Sequence, residues 1–474
     1  RRFSMDYIST RTTPASGQSP VSFEAALLAG LAPDGGLYMP VSWPRFSPED
    51  MGAMAGHPFW QVAQSVLAPF CGDTFSAETL AEICKSAFAS FDHPATTPLV
   101  QVGDEDWVLE LFHGPTLAFK DVAMQVLGGM FETVLTRTNQ RLTIVGATSG
   151  DTGGAAIEAL KDREGIEVFI LHPEGRISQV QRRIMTTCPA DNIHNIAIEG
   201  TFDDCQAIVK TMFGDQAFVQ KVSLGGVNSI NWARIMVQAV YYFTAAMALG
   251  GPGRAVSFVV PTGNFGDIFA GYVASKMGLP INRLGVATNQ NNIVHRVLAS
   301  GDYFPGTVTP TASPSMDIQV ASNFERLIFE QAGRDAGYVR DVMGSLKEKG
   351  GFTLRKDLVA AIGECIVSAD ADAAETNASM ASHQNTMGYS IDPHTAVGCV
   401  VATKLRAEGK MNGPIVTLAT AHPAKFPEAV AAATGVHPAL PAGLTDLFDR
   451  AETIHRCENN VASVKEFISR RVAA

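Results

Sequence analysis

From residue 99 onward, short apolar runs alternate with helical segments, and this alternation limits the chain to few architectures. The runs are "WVLEL" (107–111), "LTIVGA" (142–147), "EVFILHP" (167–173), "NIHNIAIEG" (192–200), "AVSFVVPTG" (255–263), "RLGVATN" (283–289) and "GPIVTLAT" (413–420). Several end in Gly, Ser, Thr or Asn and lead into a helix. Strands that are apolar throughout and separated by helices form parallel sheets covered on both faces, an α/β class. In such sheets, ligands bind where strand C-termini feed helix N-termini. Residues 20–98 have a different texture and predict a mostly helical N-terminal unit. Serines that cap helices open "SFEAALLAG" at Ser22, "SPEDMGAM" at Ser47 and "SAETLAEICKSAFASF" at Ser76.

Composition narrows the function classes. The 474 residues are 46% hydrophobic and 18% charged, as befits a large interior. A net charge of −11 argues against a nucleic-acid partner, which needs a basic surface. No apolar run reaches the ~18 residues that span a bilayer, so no membrane partner is expected. The stretch 235–251 carries Gln238 and predicts a buried helix. No signal peptide is recognised, and "RRFS" before Met5 reads as a tag remnant. Seven cysteines without CxxC spacing predict reduced thiols in a cytoplasmic protein, with no zinc motif.

Four segments carry candidate chemistry. "GATSGDTGGAAIEAL" (146–160) takes a strand into a helix through Thr148, Ser149, Gly150, Asp151 and Thr152. Free N–H groups and hydroxyls there suit a carboxylate or phosphate. An ordinary turn capped by Thr148 or Ser149 explains the same residues. "VVPTGNFGDIFAGYVASKMG" (259–278) repeats the arrangement with Gly263, Asn264, Phe265, Gly266 and Asp267. Neither is a Walker A loop or GxGxxG. Two cradles suggest two anions, such as a cofactor phosphate and a substrate anion. In "LFHGPTLAFKD" (111–121), Pro115 predicts the first position of a helix that holds Lys120 in its first turns. The helix dipole and burial both destabilise an ammonium there, favouring the neutral amine that makes a Schiff base. A lysine reaching out to water beside Asp121 is the alternative. "GPIVTLATAHPAKFPEAV" (413–430) delivers Thr420, His422 and Lys425 from a strand end. His422, before a proline, reads as a structural hydrogen-bonding residue.

These stretches, together with "PDGGLYMP", "GRISQVQRRIM" (175–185), "GGVNSINWARIMVQ" (225–238) and "SPSMDIQVASNFERLIFE" (313–330), resemble the threonine synthases along nearly the whole chain. These are pyridoxal-phosphate (PLP) enzymes with the tryptophan-synthase-β type of fold, fold type II. The similarity is to the longer fungal and proteobacterial branch. It implies two parallel-sheet αβα domains plus the N-terminal one. The expected extents are 1–98 for the N-terminal domain, 99–128 with 245–474 for a large PLP-binding domain, and 129–244 for a small one.

The resemblance implies that Lys120 holds PLP as a Schiff base and then shuttles protons. It implies that Gly263, Asn264, Phe265, Gly266 and Asp267 form the phosphate loop and that Thr420 lies near the pyridine nitrogen. Thr148, Ser149, Gly150, Asp151, Thr152 and Lys425 are the expected substrate-binding residues. Arg176 and Arg234 are further candidates for the substrate phosphate, with Ser178, Asn228, Ser229 and Asn231 behind them. Relatives often carry Asn at position 267. An Asp there is expected to cap its helix or bind the loop backbone. The implied reaction converts O-phospho-L-homoserine and water to L-threonine and phosphate by γ-elimination and β-addition of water, making the protein a carbon–oxygen lyase. Its implied partner is that small substrate, in a monomer or homodimer, without a metal. A phospholyase releasing 2-oxobutyrate, a serine/threonine dehydratase, a nucleotide-binding dehydrogenase and a catalytically silent metabolite sensor are the rivals. The role of His113 stays open.

Overall fold

The computed structural model describes residues 5–12, 20–148, 150–175 and 177–472. A six-stranded sheet is ordered Ile366–Asp370, Ile281–Thr288, Val256–Pro261, Ile415–Ala419, Asp106–Glu110, Leu99–Gln101. Its neighbours run parallel, except for the antiparallel edge strand Leu99–Gln101. Every residue of Val256–Pro261 and Ile415–Ala419 is buried, which explains their unbroken apolar sequence. Three adjacent parallel strands, Asp106–Glu110, Ile415–Ala419 and Val256–Pro261, release their chains at one edge of the sheet. That edge receives Lys120, Thr420 and the Gly263 loop.

A five-stranded parallel sheet is ordered His455–Cys457, Ile193–Ile198, Ile166–Pro173, Leu142–Ala147, Leu224–Gly225. The strand His455–Cys457 and the helix Val461–Val472 therefore join the smaller sheet, where Val464 and Ile468 pack with Ile196 and Ile198. The expected extents had put them in the larger domain. A three-residue, half-buried edge strand has no periodic signature. The expected divisions at 128/129 and 244/245 also fall inside single helices, Lys120–Thr138 and Trp232–Ala248.

The N-terminal part contains the helices expected of it, and Ser22, Ser47 and Ser76 cap three of them. It also contains a small antiparallel sheet, with Asp6–Ser9 between Val21–Ser22 and Tyr38–Pro40. Trp232, which opens the apolar helix Trp232–Ala248, joins this part to the rest. Its ring lies 6.1 Å from Tyr7, 6.1 Å from Trp43 and 5.6 Å from Phe70. The N-terminal part and the rest of the chain thus share one hydrophobic core. Among the described residues, no helix is long and apolar enough to cross a membrane.

Candidate active site

The turn before Lys120 is built by its neighbours. The helix begins at Lys120 itself, not at Pro115 as expected from sequence. Asp121, fully buried, accepts from Thr116 N at 2.8 Å and Thr116 Oγ1 at 2.6 Å, folding 114–119 across the helix start. A Cβ on Gly114 would lie 2.5 Å from Asp121 Cβ, so only glycine fits. Burial pushes the Asp121 carboxyl up to about 6, against the Thr116 hydrogen bonds that lower it. The same turn is stapled to the end of Ile415–Ala419. Phe119 N donates to Thr420 O at 2.9 Å and His422 N to Leu117 O at 3.0 Å. These contacts override the helix-starting tendency of Pro115 and place Thr420 beside Lys120.

Two lysines share one carboxylate. Lys120 Nζ lies 3.5 Å from Asp151 Oδ2, and Lys425 Nζ lies 2.5 Å from Asp151 Oδ1. Lys425 also donates to Thr116 O at 2.7 Å, and Gln181 Nε2 donates to Asp151 Oδ1 at 3.0 Å. Burial would raise the Asp151 pKa, but Lys425 and Lys120 hold it far below the usual carboxylate range. Burial lowers the Lys120 pKa; Asp151 opposes this, and Lys425 and Arg234 add to it. Arg234 is also buried. Its Nη1 donates to Val227 O at 2.9 Å, while its Nε finds no hydrogen-bond partner among the described residues. Burial brings its pKa down to about 10. Lys425 thus shares the Asp151 carboxylate with Lys120, and the charge of Arg234 also acts on the Lys120 amine. Ser149 and Arg176 lie outside the described residues.

The two glycine loops differ in what they leave free. Before the helix Asp151–Leu160, Thr148 Oγ1 accepts from Gly150 N and Gly153 N, each at 2.9 Å. Thr148 therefore caps its own loop, and two of the N–H groups expected for an anion are occupied. Thr152 follows Asp151 in the helix's first turn and is half-buried. Before the helix Gly266–Lys276, Phe265 is left-handed with φ of 66° and has no side-chain acceptor to cap the helix N–H groups. A Cβ on Gly263 would lie 2.5 Å from Ser315 O. Asn323 N donates to Asn264 O at 3.0 Å, bracing the loop from outside.

Asp267 departs from expectation. It caps neither its helix nor the loop backbone. Its Oδ1 accepts from the hydroxyls of Tyr241 and Tyr242, and its Oδ2 has no partner among the described residues. From the second helical position its side chain reaches sideways into the helix Trp232–Ala248. Burial pushes its pKa up to about 7, although both tyrosine bonds lower it.

The remaining candidates have structural duties. Ser178 and Asn231 cap helices, and Asn231 also donates to Leu27 O. Asn228 and Ser229 contribute backbone carbonyls to Asn231 N and Asn323 Nδ2. His422 accepts from Ala424 N through Nδ1, and burial, helped by His113, pushes it down to about 4. His113 bonds Glu110 at 2.7 Å and Asp92 at 2.9 Å. Burial lowers its pKa, but these two carboxylates outweigh that and raise it. Among the described residues, no group of three His, Cys, Asp or Glu side chains is placed to hold a metal ion. Sequence reasoning passed over Thr116, Gln181 and Ser315, which bond Lys425, Asp121 or Asp151. All three lie inside the stretches quoted for the resemblance, which was the available signal.

Family models match three stretches: the threonine synthase N terminus over residues 6–88, a pyridoxal-phosphate dependent enzyme over 91–345, and the C-terminal part of threonine synthase over 395–468. A threonine synthase of Pseudomonas aeruginosa is 48% identical over 467 residues, covering 98% of each chain. The crystal structure of PLP-bound threonine synthase from Brucella melitensis superposes with a TM-score of 0.96 at 52% identity, covering 99% of this chain and 100% of that one. Threonine synthase from yeast superposes at 0.93 with 39% identity over 100% of both chains. By these matches along nearly its whole length, the chain belongs to the threonine synthase family of PLP-dependent enzymes.

Proposed function

We propose that this enzyme converts O-phospho-L-homoserine and water to L-threonine and phosphate, and that Lys120 is both the amine that carries PLP and the base of the reaction. The observation that carries this reading is one buried carboxylate, Asp151, held between Lys120 and Lys425. Lys425 keeps Asp151 paired when Lys120 gives up its proton. Lys120 can therefore become a neutral amine without stranding a buried charge.

The residues present fit the cofactor. Gly263 has no room for a side chain against Ser315 O, and the N–H groups that begin the helix Gly266–Lys276 are suited to a phosphate. Thr420, neutral and buried at a strand end, suits a pyridine nitrogen that is not held protonated. When bound, PLP supplies the electron sink that stabilises carbanions. Lys120 takes the proton from the substrate α-carbon and moves protons along the chain as phosphate leaves the γ-carbon and water adds at the β-carbon. Arg234, whose Nε has no hydrogen-bond partner among the described residues, and Lys425 supply positive charge for the substrate's anionic groups, beside Asp151, Gly150 and Thr152. Phe119, packed 5.4 Å from the Lys120 amine, helps keep bulk water off the site.

The test is a product assay on purified enzyme given O-phospho-L-homoserine. L-Threonine and phosphate in equal amounts are expected. 2-Oxobutyrate as the main organic product would instead favour the phospholyase reading.

A further inference from the structure

Ser315 stands where three parts of the site meet. Its hydroxyl donates to Asp151 Oδ2 at 3.3 Å. Its carbonyl lies 2.5 Å from where a Cβ on Gly263 would project. Its backbone N–H donates to His394 Nε2 at 3.2 Å. A backbone N–H only donates, so Nε2 is the acceptor and the ring proton sits on Nδ1. That proton faces Asp392 Oδ2 at 2.6 Å.

Asp392 cannot turn away. Its Oδ2 also accepts from His394 N, and its Oδ1 accepts from the N–H and hydroxyl of Thr395, capping the helix Pro393–Ala407. Asp392 is 0% exposed and His394 2%. The cap needs the aspartate and the Thr395 N–H; it does not need an imidazole. Burying a polar ring costs free energy unless both nitrogens are used. Among the described residues, the second nitrogen is used on Ser315 alone. The same ring packs on Phe426, with centroids 5.0 Å apart, directly after Lys425 in the chain.

We propose that His394, oriented by Asp392, is a positioning residue for the reaction, acting through Ser315. It fixes the Ser315 backbone, and Ser315 in turn sets the Gly263 cradle and holds the carboxylate shared by Lys120 and Lys425. Through Phe426 it also braces the turn that carries Lys425. This rests on the assignment of Lys120 and the Gly263 loop to the cofactor.

Three full-length variants test it, using kcat, PLP affinity measured by titrating cofactor-stripped protein, and melting temperature. His394→Leu removes the acceptor and is expected to lower kcat and weaken PLP binding by about tenfold each. His394→Gln offers an amide oxygen to Ser315 N–H and is expected to restore both to within about threefold of wild type. Ser315→Ala cuts only the link to Asp151. It is expected to lower kcat by about tenfold while PLP affinity stays within about twofold of wild type. A His394→Leu protein that differs only in melting temperature overturns the proposal. So does a His394→Gln protein that is no better than the leucine variant. Should His394→Leu fail to fold, an unchanged kcat in Ser315→Ala overturns it alone. A Lys120→Ala protein that keeps a borohydride-reducible cofactor would refute the Lys120 assignment, an outcome these three readouts do not share.

Discussion

Asp151 and Asp267 occupy nearly equivalent places and behave in opposite ways. Each follows a glycine-containing loop at the C-terminal end of a buried parallel strand, and each lies in the first turn of a helix. Both are almost fully buried. Both feel the same favourable helix dipole. Yet Asp151 stays ionised well below the usual range, while Asp267 is pushed up to about 7. Burial raises both. Two lysine ammoniums reverse the effect at Asp151, and two tyrosine hydroxyls do not at Asp267. The helix terminus is therefore the minor influence, and the partner decides. The enzyme places full negative charge between its two amines and restrains it beside the loop assigned to the cofactor phosphate.

Removing the charge at Asp151 should have the largest effect. Asp151→Asn leaves Lys425 and the Lys120 nitrogen without a carboxylate and should lower kcat by about a hundredfold, read in steady-state assays. Because its folded pKa is depressed, Asp151 contributes its stabilisation in full above the unfolded value of about 4, and loses it as pH falls further. The stability gap between wild type and Asp151→Asn should hold from neutral pH to about 4 and close below that in urea unfolding.

The next effect separates the two loops. Gly263→Ala forces a Cβ against the Ser315 carbonyl at 2.5 Å and should weaken PLP binding by about tenfold or more in titrations of cofactor-stripped protein. Gly153→Ala, in the first turn of the helix that follows the other loop, meets the Thr148 methyl at 2.5 Å and Met185 Sδ at 2.8 Å. Those are side-chain atoms, and PLP affinity should stay within about threefold. Equal losses in the two variants would erase the distinction between the loops.

Asp267→Asn should have the smallest effect, with the opposite pH trend. A raised folded pKa means that wild type is fully stabilised below about pH 4 and loses that share as pH rises through about 7. Asparagine accepts the same tyrosine bonds without titrating. The variant should overtake wild type as pH rises, reaching on the order of 1 kcal/mol above pH ~7, seen as a higher melting temperature. A variant less stable than wild type at pH ~8 would contradict this account of Asp267.

Much of this arrangement was legible in the sequence. Continuous apolar strands reveal a parallel sheet, and their Gly, Thr and Asn endings mark the edge where the site forms. Lys120, Thr420 and the Gly263 loop all fall on that edge. What stayed hidden depends on contacts distant in sequence. The Lys120 helix starts late because Asp121 grips Thr116 and Ala118 bridges to Ala421. Asp267 finds its partners in Tyr241 and Tyr242, which in sequence show only as part of an apolar helix. The link from His394 through Ser315 to Asp151 joins three segments separated by 79 and 164 residues. No local pattern reports such a link.

The central claim is that, of the two lysines on Asp151, Lys120 is the reactive one. Lys425 is 1% exposed and bound to Asp151 and Thr116, whereas Lys120 is 12% exposed and stands farther from the carboxylate. Reducing the PLP-loaded enzyme with borohydride, digesting it and mapping the pyridoxyl group by mass spectrometry tests this directly. The account predicts the label on the peptide containing Lys120. A label on Lys425 would contradict it.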